Sequence, residues 1–409
     1  MKTTEMLALA LVSAPLVAKG NSWLDGDRLT GDWHGARTAQ ENAGFKTFAY
    51  YSGISASNVH GGNYTDSSYS GDLFMGMEFD LEKLLGWDDT KFVLSGIDRA
   101  GRSIDDAVGG KYSVMQNVGG QNAFLYNITL EKTFLDDTLS VKLGRMTATD
   151  DFVGSPYYGY SVNNAVNGQI RAALFDGVMS SYPFPVWGGR VKYQPSDEFY
   201  AMLGVFQTPT DMFDRDTQGV DFQFESGDGV SVFTQVGWNP KFAERPAHFF
   251  AGMNNSLGYD MDKFDSTGTR DKFTRFYGHA DYQVYAESPG SEEGLVLFVT
   301  LGYSPFEDVA IMPVQSTFGA NYTGLFPGRE KDKTVFFATY GGFSNDYADQ
   351  QAAAGDAESD YEMVLELGHR FQLTPSTYIQ PDMQYIVQPG GTGAIDNALV
   401  LGFQFGTSF

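Results

Sequence analysis

Residues 399–409 alternate with a period of two. Leu399, Leu401, Phe403, Phe405 and Phe409 share one parity, with Thr407 between the last two phenylalanines, while Val400, Gly402, Gln404, Gly406 and Ser408 share the other. In a strand that period sends successive side chains to opposite faces, so one face is greasy and the other small or polar. A helix cannot present this pattern. A transmembrane barrel uses it directly, with lipid against one face and a wet lumen against the other. An alternating strand that ends on phenylalanine is also how such barrels usually finish.

The same alternation recurs upstream. Tyr361, Met363, Leu365, Leu367, Phe371 and Leu373 oppose Glu362, Glu366, Arg370 and Gln372, with His369 interrupting the apolar row. After a Thr374-Pro375-Ser376 turn, Ile379, Met383, Tyr385 and Val387 oppose Tyr378, Gln380, Asp382 and Gln384. Leu73, Met75, Met77, Phe79 and Leu81 alternate with Asp72, Gly76, Glu78, Asp80 and Glu82. Further outward rows are expected at Phe124, Tyr126, Ile128 and Leu130, at Leu139, Val141 and Leu143, at Val230, Val232, Val236 and Trp238, and at Leu295, Leu297, Val299, Leu301 and Tyr303. Tight joints such as 132–138 suit one rim of a meander, and longer polar stretches such as 101–120 and 345–360 suit the other. The fold expected is an all-β, antiparallel, up-and-down transmembrane barrel.

Composition agrees. A chain of 409 residues would suggest two or three ordinary domains, but a barrel runs long as one unit. The 48 glycines, 23 tyrosines and 33 phenylalanines are a β composition. Mean hydropathy is −0.26, and the most continuous apolar run past the N-terminus, 295–303, is too short for a spanning helix. Cysteine is absent, which removes disulfides, cysteine-based zinc sites and thiol nucleophiles together. The net charge of −24 repels phosphate backbones, so nucleic acid is excluded as a partner. Acidic residues cluster at 211–216, 260–265 and 356–360; these read as solvated loop tips, with calcium binding there a minor alternative because no spacing matches a dedicated calcium loop.

Residues 1–20 read as a signal peptide: Lys2, an apolar stretch over 6–18, and small residues Ala18 and Gly20 near an ambiguous cleavage site. Residues 21–44 form an N-terminal periplasmic segment in which Thr30 or Asp32 caps a short helix that Gly44 ends. The barrel then occupies 45–409.

The stretch Leu29-Thr30-Gly31-Asp32-Trp33-His34-Gly35-Ala36-Arg37-Thr38 resembles the opening motif of the carbohydrate-selective porins, the sugar porins of Gram-negative bacteria. Four further stretches resemble the same family, in order along the chain: Val186-Trp187-Gly188-Gly189-Arg190-Val191-Lys192-Tyr193, Tyr322-Thr323-Gly324-Leu325-Phe326-Pro327-Gly328-Arg329, Pro381-Asp382-Met383-Gln384-Tyr385-Ile386, and Pro389-Gly390-Gly391. The resemblance implies a barrel of about 16 strands in the outer membrane, among lipid and lipopolysaccharide, passing glucose-like sugars. His34 and Ala36 depart from the family pattern, and the cysteines of some members are missing.

A pore that favours a sugar needs hydrogen-bond donors and acceptors on its wall and aromatic faces for C–H surfaces, without holding the solute tightly. Family eyelets combine an arginine, an acid and a tryptophan, which points first to Arg99, Glu78 and Trp187. Asp80, on the same face as Glu78, and Arg102, close to Arg99, accompany them. Glu362, Glu366, Arg370 and Asp382 form a second group by parity. The plainer alternatives are a generic solvated wall for the charges and a place in the interfacial aromatic girdle for Trp187. Asp32, Trp33 and Arg37 read as a structural plug or periplasmic cap.

Enzyme chemistry finds no footing. His34, His60, His248, His279 and His369 are scattered without paired metal spacing, no glycine loop cradles phosphate, and no serine sits in a nucleophile elbow. No cofactor is expected. The rivals to a sugar-selective porin are a general or anion-passing porin and a secreted all-β carbohydrate-binding protein or enzyme. Both a monomer and a homotrimer fit.

Overall fold

Each alternating segment pairs with its neighbour in sequence, and the last pairs with the first. The computed structural model describes residues 26–176 and 178–409. The leader expected at 1–20 lies outside the described residues, as do 21–25. The first strands are β1 (Phe45–Gly62), β2 (Asp66–Asp80), β3 (Thr90–Gly101), β4 (Ala123–Phe134), β5 (Leu139–Met146), β6 (Val186–Tyr193), β7 (Phe199–Thr208) and β8 (Gly229–Trp238). After them come β9 (Lys241–Phe242), β10 (Arg245–Asp262), β11 (Thr269–Ala286), β12 (Gly294–Tyr303), β13 (Val314–Thr323), β14 (Lys333–Gly342), β15 (Tyr361–Thr374), β16 (Thr377–Val387) and β17 (Asp396–Ser408).

Of these 17 strands, β9 is a two-residue arm folded on the start of β10, and β8 pairs directly with β10. The other 16 close into an antiparallel barrel, because β1 pairs with both β2 and β17. Closure leaves no strand edge facing hydrocarbon, where each unpaired backbone group would cost several kcal/mol.

The faces follow the alternation. Val236, Leu301, Leu367, Met383 and Leu401 are exposed on the outside, while Gln235, Thr300, Glu366, Asp382 and Val400 are buried inside. One rim carries short joints such as 135–138 and 375–376, and an aromatic belt runs along it. In that belt Trp238 stacks on Phe199 and Phe249, at 6.1 and 5.6 Å between ring centres. The opposite rim carries the long connections 102–122, 147–185, 209–228 and 343–360.

Two expected rows are corrected. Phe124 and Tyr126 point inward, because the β3–β4 register shifts between Leu94 and Gly96 and the bulge reverses parity before Ile128. Leu81 does not continue β2; Asp80 ends that strand and caps helix α1 (Leu81–Leu85), accepting from Lys83 N at 3.2 Å.

A short helix covers Ala36–Asn42, as expected between 30 and 44. Its N-cap is Gly35 at φ 92°, so neither Thr30 nor Asp32 caps it. Asp32 instead accepts from the backbone N and Oγ1 of Thr38 at 2.9 and 2.8 Å.

The interior is not an open tube. The segment 147–185 carries Phe152, Tyr158, Val162, Ile170, Leu174 and Met179, too apolar to sit in water. It folds into the barrel against inward-facing Phe206, Phe233, Phe250, Phe298 and Phe337. The segment 102–122 does the same with Ile104, Val108, Tyr112, Val114 and Met115, packed on Ile54, Val364, Ile386 and Val400. These two inserts narrow the lumen.

Candidate pore constriction

Both inserts meet the wall formed by β2 and β3 at one cluster of side chains. Asp72 and Arg99 are direct cross-strand partners on the inner face. Arg99 Nε donates to Asp72 Oδ2 at 2.7 Å, and both side chains are nearly buried. Arg99 Nη1 also donates to the Gly119 carbonyl at 2.9 Å, in the 102–122 insert. Tyr182, from the 147–185 insert, lies with its ring 4.6 Å from the Arg99 guanidinium and donates its hydroxyl to Asp72 Oδ1 at 2.7 Å. One acid, one guanidinium and one aromatic ring thus tie two strands to both inserts.

Further charge faces this cluster. Arg171 precedes helix α2 (Ala172–Phe175) in the 147–185 insert. Burial lowers its guanidinium to about 10, Asp105 acts against that shift and Arg99 adds to it. Lys111, in the other insert, is also pulled down by burial, with Glu362 opposing. The Phe175 ring lies between the two cations, 5.6 Å from Arg171 Cζ and 5.2 Å from Lys111 Nζ. Asp105 is pushed up by burial and accepts from Ser113 Oγ at 2.9 Å. The cluster therefore brings together forked donors, carboxylate acceptors and two aromatic faces, the set that hydroxyl-rich solutes can use.

Strand β15 anchors both inserts. Glu362 of β15 accepts from the backbone N of Lys111, Tyr112 and Gly390 at 2.7, 3.0 and 2.7 Å. Four residues on, along the same inner face, Glu366 accepts from Ser161 Oγ and Val162 N, each at 2.5 Å. Asp176 of the 147–185 insert receives Arg275 of β11 at 2.9 and 2.5 Å.

The expected site residues divide accordingly. Arg99 sits where β3 meets both inserts. Glu78 faces inward but lies toward the short-joint end, 3.7 Å from Lys91 Nζ. Asp80 caps helix α1 at the short-joint rim. Arg102 lies on the long-loop rim, 60% exposed and bidentate to Asp66 at 2.6 and 3.0 Å. Trp187 pairs in register with Arg145 on the outer face, where its Nε1 donates to the Phe222 carbonyl at 3.1 Å, so it does not line the lumen. Glu366 is consumed as an anchor. Asp382 is buried inside and accepts from Gln384 Nε2 at 2.9 Å. Arg370 faces the lumen below the insert, its Cζ 3.9 and 4.7 Å from the rings of Tyr378 and Tyr160.

Asp72, Lys111, Arg171, Phe175 and Tyr182 were not singled out by sequence. Asp72 carried a signal, since it lies on the inner parity of β2. The other four belong to inserts with no period to read. Among the described residues the acidic loops bring no three side-chain ligands within 4.8 Å of one another; His248, His279 and Asp281 do so.

The sequence profile of the carbohydrate-selective porin, OprB family, matches residues 65–409. Porin B of Pseudomonas aeruginosa is 27% identical over 98% of this chain and 95% of its own length. The protein of Acinetobacter baylyi called porin QuiX is 27% identical over 98% of this chain and 99% of its own. The solved high-pH structure of Pseudomonas putida OprB superposes with a TM-score of 0.90 at 25% identity, covering 95% of this chain and 100% of that one.

Proposed function

Because the chain belongs to the carbohydrate-selective porin family, and is thus a non-enzymatic channel of the bacterial outer membrane, we propose that it passes neutral, glucose-sized sugars by passive diffusion after export on the leader at 1–20. What carries the reading is the Arg99–Asp72–Tyr182 cluster, with Phe175 beside Arg171. A pyranose presents hydroxyls around its edge and C–H bonds on its faces. Arg99 can donate to the first, Asp72 and Asp105 can accept, and the two rings can meet the second. Arg99 and Asp72 spend part of their capacity on each other. The residual attraction is then weak enough for a solute to leave, as transport requires.

One observation favours a second reading. Arg171 and Lys111 make no ion pair among the described residues, although both are half-buried beside the passage. Two unpaired cations would draw an anion as readily as a hydroxyl. Liposome swelling separates the readings. A sugar-selective pore admits glucose faster than a neutral amino acid of similar size. Arg99→Ala removes a charged donor worth about 1.5 kcal/mol and reduces that preference on the order of tenfold. Equal rates in the parent protein would remove sugar selectivity, and an unchanged preference in the variant would remove Arg99 as its source.

A further inference from the structure

We propose that His248, His279 and Asp281 form a binding site for a zinc-class divalent cation on the lumen wall. His248 of β10 and Asp281 of β11 are direct cross-strand partners, and His279 lies two residues before Asp281 on the same inner face. The register of two paired strands therefore sets the spacing of all three. One ligand atom from each lies within 4.8 Å of the others.

The distances fit an ion better than a hydrogen-bonded triad. With metal–ligand bonds of about 2.0–2.1 Å, tetrahedral neighbours stand about 3.3 Å apart. Here His279 Nε2 is 2.8 Å and His248 Nδ1 3.6 Å from the same atom, Asp281 Oδ2. The longer separation is beyond hydrogen-bond reach, so Asp281 satisfies one imidazole directly and leaves the other short. A cation among the three would bring these two separations to that spacing with shifts of a few tenths of an ångström.

The surroundings hold the rings in the state a metal needs. A ligating imidazole presents one nitrogen to the ion and donates its other N–H to an oxygen. His279 Nδ1 lies 2.8 Å from the Tyr158 hydroxyl, and His248 Nε2 lies 3.0 Å from the Tyr200 hydroxyl. Phe250 stacks on His279 with ring centres 5.1 Å apart and fixes its plane. Both free nitrogens then point to Asp281. Two imidazoles and one carboxylate favour zinc and its first-row neighbours over calcium or magnesium, which take oxygen shells. The site is shut toward the wall and opens through His248, whose side chain is 24% exposed, while that of His279 is 0% exposed. Three protein ligands leave a fourth coordination position for water or solute. The proposal stands whether or not sugar is the solute.

The test uses the full barrel, purified in detergent and stripped with a chelator. Zinc is titrated by calorimetry and cobalt(II) by its visible absorption. The expected result is one equivalent of either metal, with four- or five-coordinate cobalt bands, and no competition from excess calcium. His248→Gln and Asp281→Asn should each weaken binding about tenfold or more. Tyr200→Phe keeps every ligand and should cost up to about tenfold through ring orientation alone. His369→Gln, at the Asp332 pair elsewhere on the wall, should change nothing. Folding of each variant is checked by heat-modifiable migration, and His248→Gln, at the open side, decides the matter should the others misfold. Absence of saturable binding, equal competition by calcium, or full affinity in His248→Gln would overturn the site.

Discussion

The Arg99 guanidinium is fixed by Asp72 on the neighbouring strand and by the Gly119 carbonyl of an insert, so its unused N–H groups have a set direction. Its partner is the more informative residue to change. Asp72→Asn keeps the shape and an acceptor for Tyr182 but deletes the charge. At an effective dielectric constant of about 20, two unit charges about 8 Å apart interact by about 2 kcal/mol before screening. Reversal potentials in a salt gradient should therefore move toward anions by a few-fold in permeability ratio, with a stability loss of up to ~3 kcal/mol from the unpaired cation. An unmoved reversal potential would place the ion path away from Asp72. Sequence could reach Arg99, because a resemblance pointed at it, but its pairing with Asp72 depends on strand register, which alternation does not specify. Trp187 shows the reverse failure. Its motif matched, yet one step of parity put it outside, under the connection at 209–228.

At the scale of elements, the barrel strands were legible and the inserts were not. Lipid on one side and water on the other impose a period of two, which survives in the residues. The segments 102–122 and 147–185 bury apolar groups against an irregular inner wall, so their packing leaves no period. The bulge at Tyr126 was invisible for a related reason, since an inward apolar row is itself permitted where an insert covers it. The 147–185 insert also contains a proton-sensitive tether. Burial raises Asp176 from its ordinary 3.8 to about 6, although Arg275 pulls the other way. An acid with a raised folded value binds its proton more readily folded than unfolded. Its contribution to stability is complete below about pH 4 and is lost as the pH rises through about 6. The same proton weakens the particular link to Arg275, so the insert is held more loosely in acid even as the fold gains. Single-channel recordings between pH 7.5 and 5 should show a change in conductance or open-channel noise centred near pH 6. Asp176→Asn should show the acid behaviour throughout, and a transition retained in that variant would assign it to another group.

At the scale of the whole molecule, the barrel has one seam that chain continuity does not secure, between β1 and β17. The N-terminal arm lies across the end of it. Leu29 N donates to the Ser408 carbonyl at 2.8 Å, and Phe409 N donates to the Ala49 carbonyl at 2.9 Å. Arg37 is the central fastening. Only 4% exposed, it donates to the Phe409 carbonyl and to Thr30 Oγ1, each at 3.1 Å, while Trp33 covers its guanidinium at 4.1 Å. The opening motif thus reads as a clasp on the last residue of the barrel, which explains why Thr30, Trp33 and Arg37 occur together. A plug and a clasp make opposite predictions. Arg37→Ala removes two hydrogen bonds to a charged group and a cation–π contact, about 2–4 kcal/mol in all. If the arm is a clasp, the temperature at which the folded band converts to the unfolded one on a gel falls by several degrees and single-channel conductance stays at the parent value. If the arm obstructs the lumen, conductance rises instead. The geometry favours the first outcome, because every partner of Arg37 belongs to the arm or to the chain end, and none belongs to the constriction.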